Sequence, residues 1–185
     1  MDRTLYLIGK KGATDVSVRE IAKEAGVNVA AINYHFRTKE MMLKEMENLF
    51  IDNYNQVYDV LDDKKLGAEE KIEKLLNEII EYTIHYPGIT ILLNKKMADK
   101  KSEMGRYVDK SIKEKSKKIK ALIKQITGNQ DDEVAAFNEV VLLSSIVYPA
   151  SDSQSISFYN DLNLSDKTSR EKYVKHIIKI MKGRE

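Results

Sequence analysis

The chain has 185 residues, of which 42% are hydrophobic and 32% charged, enough for one medium domain or a small domain joined to a larger one. Net charge is only +2, so bulk charge does not argue for a polyanionic partner, and the absence of cysteine excludes disulfides and thiolate metal sites. No uninterrupted apolar run of about 18 residues reads as a transmembrane helix, the first residues are too charged for a secretory signal, and a cytoplasmic location without membrane attachment is expected.

Only two prolines occur, Pro87 and Pro149, which favours an all-α chain. Residues 3–11 read as a first helix with Leu5 and Ile8 inward, Lys10 and Lys11 in the last turn and Gly12 as C-terminal cap. A second helix starts after Ser17, whose spacing to Glu20 is that of a capping box; Val18, Ile21, Ala22 and Ala25 form its apolar stripe and Gly26 ends it. Asn28 is suited to cap a third helix over 29–35, with Ile32 and Phe36 facing a core. Thr38 is suited to cap a fourth, whose apolar pattern runs from Met41 through Met46, Tyr54 and Val57 to Leu61. That helix is long enough to leave the N-terminal bundle and join the rest of the chain.

Residues 62–67 are a polar break. A helix is expected over 68–86, ended by Pro87-Gly88, then a short one over 89–100 and a long amphipathic one over 102–126. The helix over 131–148 is apolar on more than one side and should be buried against more than one neighbour. Residues 151–163 read as irregular, and a last helix spans 166–182. The stretch 94–124 is locally basic, which reads as a solvated helix face.

Two short helices joined across Ala25-Gly26-Val27-Asn28 make a helix-turn-helix, whose second helix can enter the major groove of DNA. Residues near its start can reach base edges: Asn28, Val29, Ala30, Ala31 and Asn33. Asn33 suits a bidentate contact with adenine, and the small apolar side chains suit a thymine methyl. Ser17, Tyr34 and Lys39, with His35 and Arg37 as weaker members, are the phosphate-contact candidates. The plainer alternatives are a cap for Ser17, a packing aromatic for Tyr34 and simple exposure for Asn33.

Gly12, Val16-Ser17-Val18-Arg19-Glu20-Ile21-Ala22, Ala25-Gly26-Val27, Ala31-Ile32-Asn33-Tyr34-His35-Phe36 and Lys39-Glu40 together resemble the TetR family of bacterial transcriptional regulators. The resemblance covers about a quarter of the chain. It implies a three-helix DNA-binding domain over 1–45 and a larger helical effector-binding and dimerisation domain over 46–185. It also implies a homodimer on an inverted-repeat operator, with recognition helices about 34–36 Å apart, joined through the helices over 131–148 and 166–182. A small-molecule effector would sit between C-terminal helices; Tyr82, His85, Tyr86, Met97, Met104, Tyr107, Phe137 and Tyr148 are the lining candidates, with ordinary core packing as the alternative. Members of the family usually carry a longer first helix than this chain begins with. That departure motivates a second reading, a protein of this fold that has lost DNA binding and acts as a small-molecule binder or assembly partner. An enzyme is not expected: no Gly-rich phosphate loop, histidine metal cluster or serine-nucleophile motif is present, and no cofactor or metal is implied.

Overall fold

The second, third and fourth helices each begin where a polar side chain turns back on the backbone. In the computed structural model, which describes residues 2–12, 15–88, 90–91, 103–151 and 162–183, α1 is Asp2–Lys11 and α2 is Val18–Ala25. Ser17 and Glu20 form the reciprocal capping box at the start of α2, and Gly26, at φ 67°, ends it in the left-handed conformation that a side chain would strain. Then follow α3 (Val29–Phe36) and α4 (Lys39–Tyr58), the latter capped by Thr38 Oγ1 on the Met41 N–H at 3.1 Å. A 3-10 turn over Asp59–Asp62 leads to α5 (Ala68–His85), and α6 (Glu103–Thr127), α7 (Asp132–Ser151) and α8 (Lys167–Met181) complete the order. No strand occurs among the described residues. The expected helix over 89–100 lies largely outside them.

Two hydrophobic cores meet along α4. Met42 and Met46 are buried with Leu5, Ile8, Val16, Ile21 and Ile32 in the N-terminal core, whereas Val57 and Tyr58 pack against the C-terminal one. The second core is built on α5, which packs on α6, α7 and α8 and buries Ile72, Leu75, Leu76 and Ile80. Side chains also tie α4 to α6. Lys115 Nζ lies 3.8 Å from the centre of the Tyr54 ring and 4.4 Å from that of Tyr58, and it donates to Asn55 Oδ1 at 2.9 Å. Burial pulls this ammonium down to about 8, with Asp59 opposing the shift.

The two units touch through glycine. A Cβ on Gly9 would lie 2.7 Å from the Gly88 nitrogen, and one on Gly88 would lie 2.8 Å from Ile8 Cβ and overlap the Leu5 carbonyl. The backbone of α1 therefore rests directly on the chain that leaves α5, and no other residue fits at either position without displacing that contact.

As expected, α7 is buried against more than one neighbour, packing on α5, α6 and α8, and two further features stand out. Its inner face, including Leu142 and Ile146, is buried, but Phe137, Val140, Val141 and Tyr148 are 56–63% exposed on the outer face. The apolar residues on its second side are thus bare in the single chain rather than covered by another of its helices. By length and composition alone α7 is also apolar enough to cross a membrane, although three acidic residues, Asp132, Glu133 and Glu139, interrupt it, and it packs on α5, α6 and α8. Secondly, α7 continues through Pro149 instead of stopping before it. Proline has no N–H to donate to the carbonyl four residues back, here that of Ser145. The Tyr173 hydroxyl of α8 donates to that carbonyl at 2.7 Å. Tyr173→Phe should cost about 1–2 kcal/mol, the loss expected when a half-buried acceptor is stranded, measured by chemical denaturation. In a Pro149→Ala background, which restores the backbone donor, the same substitution should cost much less.

Candidate nucleic-acid interface and ligand cleft

Capping starts α3 and packing orients it. Asn28, in an extended conformation, accepts the Ala31 N–H on Oδ1 at 2.6 Å. Ile32 is buried, and Val29 and Phe36 pack against the N-terminal core. Those three positions fall on one side of the helix. Ala30, Asn33 and Tyr34 are exposed on the other, Ala31 is half-buried between the two faces, and Arg37 is exposed just past the end. Tyr34 is 85% exposed, which rules out a packing role within the chain. The exposed His35 ring meets it edge-on with centres 5.6 Å apart. Arg37 ends the helix at φ 59°, the one non-glycine with positive φ among the described residues, and its N–H donates to the Asn33 carbonyl at 2.9 Å. Lys39, half-buried, opens α4.

The start of α2 is already charged. Glu20 Oε2 accepts the Ser17 N–H and the Ser17 hydroxyl, both at 2.8 Å, and its Oε1 pairs with Lys11 Nζ. The Lys11 bond, then the Ser17 backbone and side-chain bonds, hold the Glu20 carboxyl down at about 2. A phosphate approaching Ser17 therefore meets an ionised carboxylate at the helix N-terminus. The exposed cation of that turn is Arg19, which the sequence reading did not select.

A cleft of about 410 Å³ opens between α4 and α5. Asn53, Gln56 and Val57 form its α4 wall; Glu78, Glu81, Tyr82 and His85 lie at helical spacing along α5, with Tyr86 at its end. The Tyr82 and Tyr86 rings are 4.9 Å apart and tilted by 56°. Burial pushes the Tyr82 hydroxyl up to about 12, Tyr86 adds to the shift, and a hydrogen bond with Asn53 opposes it. Burial, then the neighbouring Glu81, also raises the Glu78 carboxyl. Buried Arg170 of α8 donates to Glu81 Oε2 at 3.0 Å and to the Leu164 carbonyl at 3.1 Å. Tyr82 and Tyr86 also pack against the N-terminal core, so the cleft borders both units. A second cleft of about 340 Å³ lies between α4 and α6 and includes Tyr107 and Lys115.

Residues 1–46 match the sequence model of bacterial regulatory proteins, tetR family. The N-terminal quarter of the chain thus carries the sequence pattern of the TetR family. The chain is 28% identical over 92 residues to YttP of Bacillus subtilis, named as a probable HTH-type transcriptional regulator; the match covers 49% of this chain and 44% of that one. It is 27% identical over 88 residues to the nucleoid occlusion factor SlmA of Aliivibrio fischeri, covering 47% and 44%. These matches thus span less than half the length of either relative. The fold extends further. The ketosteroid transcriptional regulator KstR2 of Mycobacterium tuberculosis superposes with a TM-score of 0.64 at 17% identity, over 98% of this chain and 90% of that one. A chain described as a TetR-family regulator from Mesorhizobium loti superposes with a TM-score of 0.51 at 17% identity, over 97% and 94%.

Of the lining candidates, the fold gathers Tyr82, His85 and Tyr86 in one cleft and places Tyr107 in the other. Phe137 and Tyr148 stand on the bare face of α7, outside the lining of both. Met97 and the Met104 side chain lie outside the described residues. Sequence reading missed Asn53, Gln56, Glu78 and Glu81. The only available signal was the 78, 81, 82, 85 spacing along α5, which by itself looks like a solvated helix edge.

The Glu20 site gives a test in acid. A carboxyl held below its ordinary value of 4.5 contributes stability above that value and loses it as pH falls toward about 2. Helix content followed by circular dichroism should therefore fall across that window. Glu20→Gln should lower stability at neutral pH and flatten this part of the acid dependence.

Proposed function

We propose that this chain is a cytoplasmic, ligand-responsive, DNA-binding transcriptional regulator, acting as a dimeric repressor released from an inverted-repeat operator by a small molecule. One observation carries the reading. The inner side of α3 is held in the N-terminal core, while Ala30, Asn33 and Tyr34 present a continuous exposed face with Arg37 beside it. In this reading Asn33 contacts a base edge and the methyl of Ala30 meets thymine, with Ala31 beside it. Tyr34, His35, Arg37 and Lys39 contact phosphate and set the register. Asn28 gives its Oδ1 to the cap, which leaves its amide N–H groups as donors, and half-buried Val29 contributes only at the edge. Arg19 replaces Ser17 as the phosphate contact at the start of α2. The alternative of a TetR-fold protein without DNA binding has no support from α3, which is capped, packed and exposed as a reading helix needs to be.

The second copy docks on α7 and α8. Phe137, Val140, Val141 and Tyr148 recur at helical spacing on the outside of α7, and Ile180 is 61% exposed on α8. The effector occupies the cleft of Tyr82, His85 and Tyr86, and it shifts DNA affinity only by binding the two states of the dimer unequally.

Gel-shift titrations on DNA flanking the protein's own gene should give specific, salt-sensitive binding. Asn33→Ala should lose roughly 1–3 kcal/mol of discrimination at one base position. Tyr34→Phe should weaken binding more evenly across sequences. Absence of specific binding by the wild-type dimer would overturn the proposal. For the interface, Val141→Glu should convert a dimer to a monomer in sedimentation equilibrium while leaving the helical content intact.

A further inference from the structure

We infer that the cleft between α4 and α5 binds an organic cation, an ammonium or amidinium group carried on a small apolar or aromatic body. The inference rests on the effector role proposed for that cleft and names the chemistry of its ligand. The cleft is lined by two carboxylates, and neither lysine nor arginine contributes to the lining. The two carboxylates differ in their commitments. Glu81 is held by the buried Arg170 guanidinium at 3.0 Å. Among the described residues, Glu78 enters no ion pair or hydrogen bond. It is exposed one turn from Glu81 on the same edge of α5, where burial of part of the carboxyl and the Glu81 charge both disfavour its ionised form and Lys74 only partly offsets them. A cation bound there relieves that repulsion, whereas an anion adds to it.

The rest of the lining suits the same ligand. Tyr82 and Tyr86 offer two tilted ring faces that attract a cation through their quadrupoles and cover its apolar body. The carboxamides of Asn53 and Gln56 complete the α4 side. About 410 Å³ is room for a compact ring-bearing molecule. Since Tyr82 and Tyr86 also touch the N-terminal core, and Pro87-Gly88 follows them directly, a ligand wedged between α4 and α5 acts on the surface where α1 is seated.

The test uses calorimetric titration of the full-length protein with three probes of similar size, benzyltrimethylammonium, benzyl alcohol and benzylsulfonate. The cation should bind saturably and at least about tenfold more tightly than the other two, a gap within reach of a partly desolvated cation–π and ion-pair site. Glu78→Gln should reduce cation affinity by about tenfold without lowering the melting temperature. Gln56→Lys, at an exposed lining position, should abolish cation binding by placing a competing ammonium in the cleft. Equal or tighter binding of the alcohol or the sulfonate, or a Glu78→Gln protein with unchanged cation affinity, overturns the cationic chemistry. If the alcohol or sulfonate binds better and Gln56→Lys changes that binding, the cleft remains the effector site with a different ligand class. If neither substitution alters the binding of any probe, the effector role of the cleft fails as well.

Discussion

The N-terminal helical unit rests on the larger domain through two residues that have no side chains. Gly9 in α1 and Gly88 beyond α5 approach so closely that a methyl group on Gly9 would meet the Pro87-Gly88 backbone and the Pro87 ring, and one on Gly88 would meet the α1 backbone and Ile8. Contact at this range is stiff, because interiors resist compression and relieve overlap by discrete repacking. The same end of α5 carries Tyr82, His85 and Tyr86. The proposed ligand cleft and the seat of α1 are therefore consecutive features of one stretch of chain. The long helix α4 joins them on the other side, with Met42 and Met46 in one core and Val57 and Tyr58 in the other.

Much of this was legible in the sequence because it is encoded locally. Ser17 with Glu20, Asn28 and Thr38 each cap the helix that their spacing suggested, and Gly26 adopts the positive φ expected of a helix-ending glycine. Periodicity separated Ile32 and Phe36, which face inward, from Asn33 and Tyr34, which face outward. The resemblance to TetR proteins rests on the same short-range features, and the match over residues 1–46 bears it out.

What stayed hidden depends on residues far apart in the chain. Glycine inside a helix reads as a local weakness, and nothing near Gly9 announces Gly88. Lys115 looks like one more lysine on a basic face; only the fold brings Tyr54 and Tyr58 under its ammonium. Its neighbours on α6 behave as a solvated face should, with Lys113 paired to Asp109 and Lys118 to Asp62. A helix that is apolar on more than one side, such as α7, gives no periodic sign of which face its own chain covers. Composition marked Phe137 and Tyr148 as pocket material, but orientation put them on the bare face. The α5 cleft was found through its aromatics and missed for its acids, because glutamates along a helix edge ordinarily mean contact with water.

Pro149 and Tyr173 carry a mechanical consequence. The Ser145 carbonyl has its proline-vacated position filled from α8 rather than from within α7. Rolling α7 about its own axis would strand that oxygen, so the two helices are geared together and turn as a single plate. A second copy docked on the outer face of α7, as proposed, would therefore bear on α8 as well.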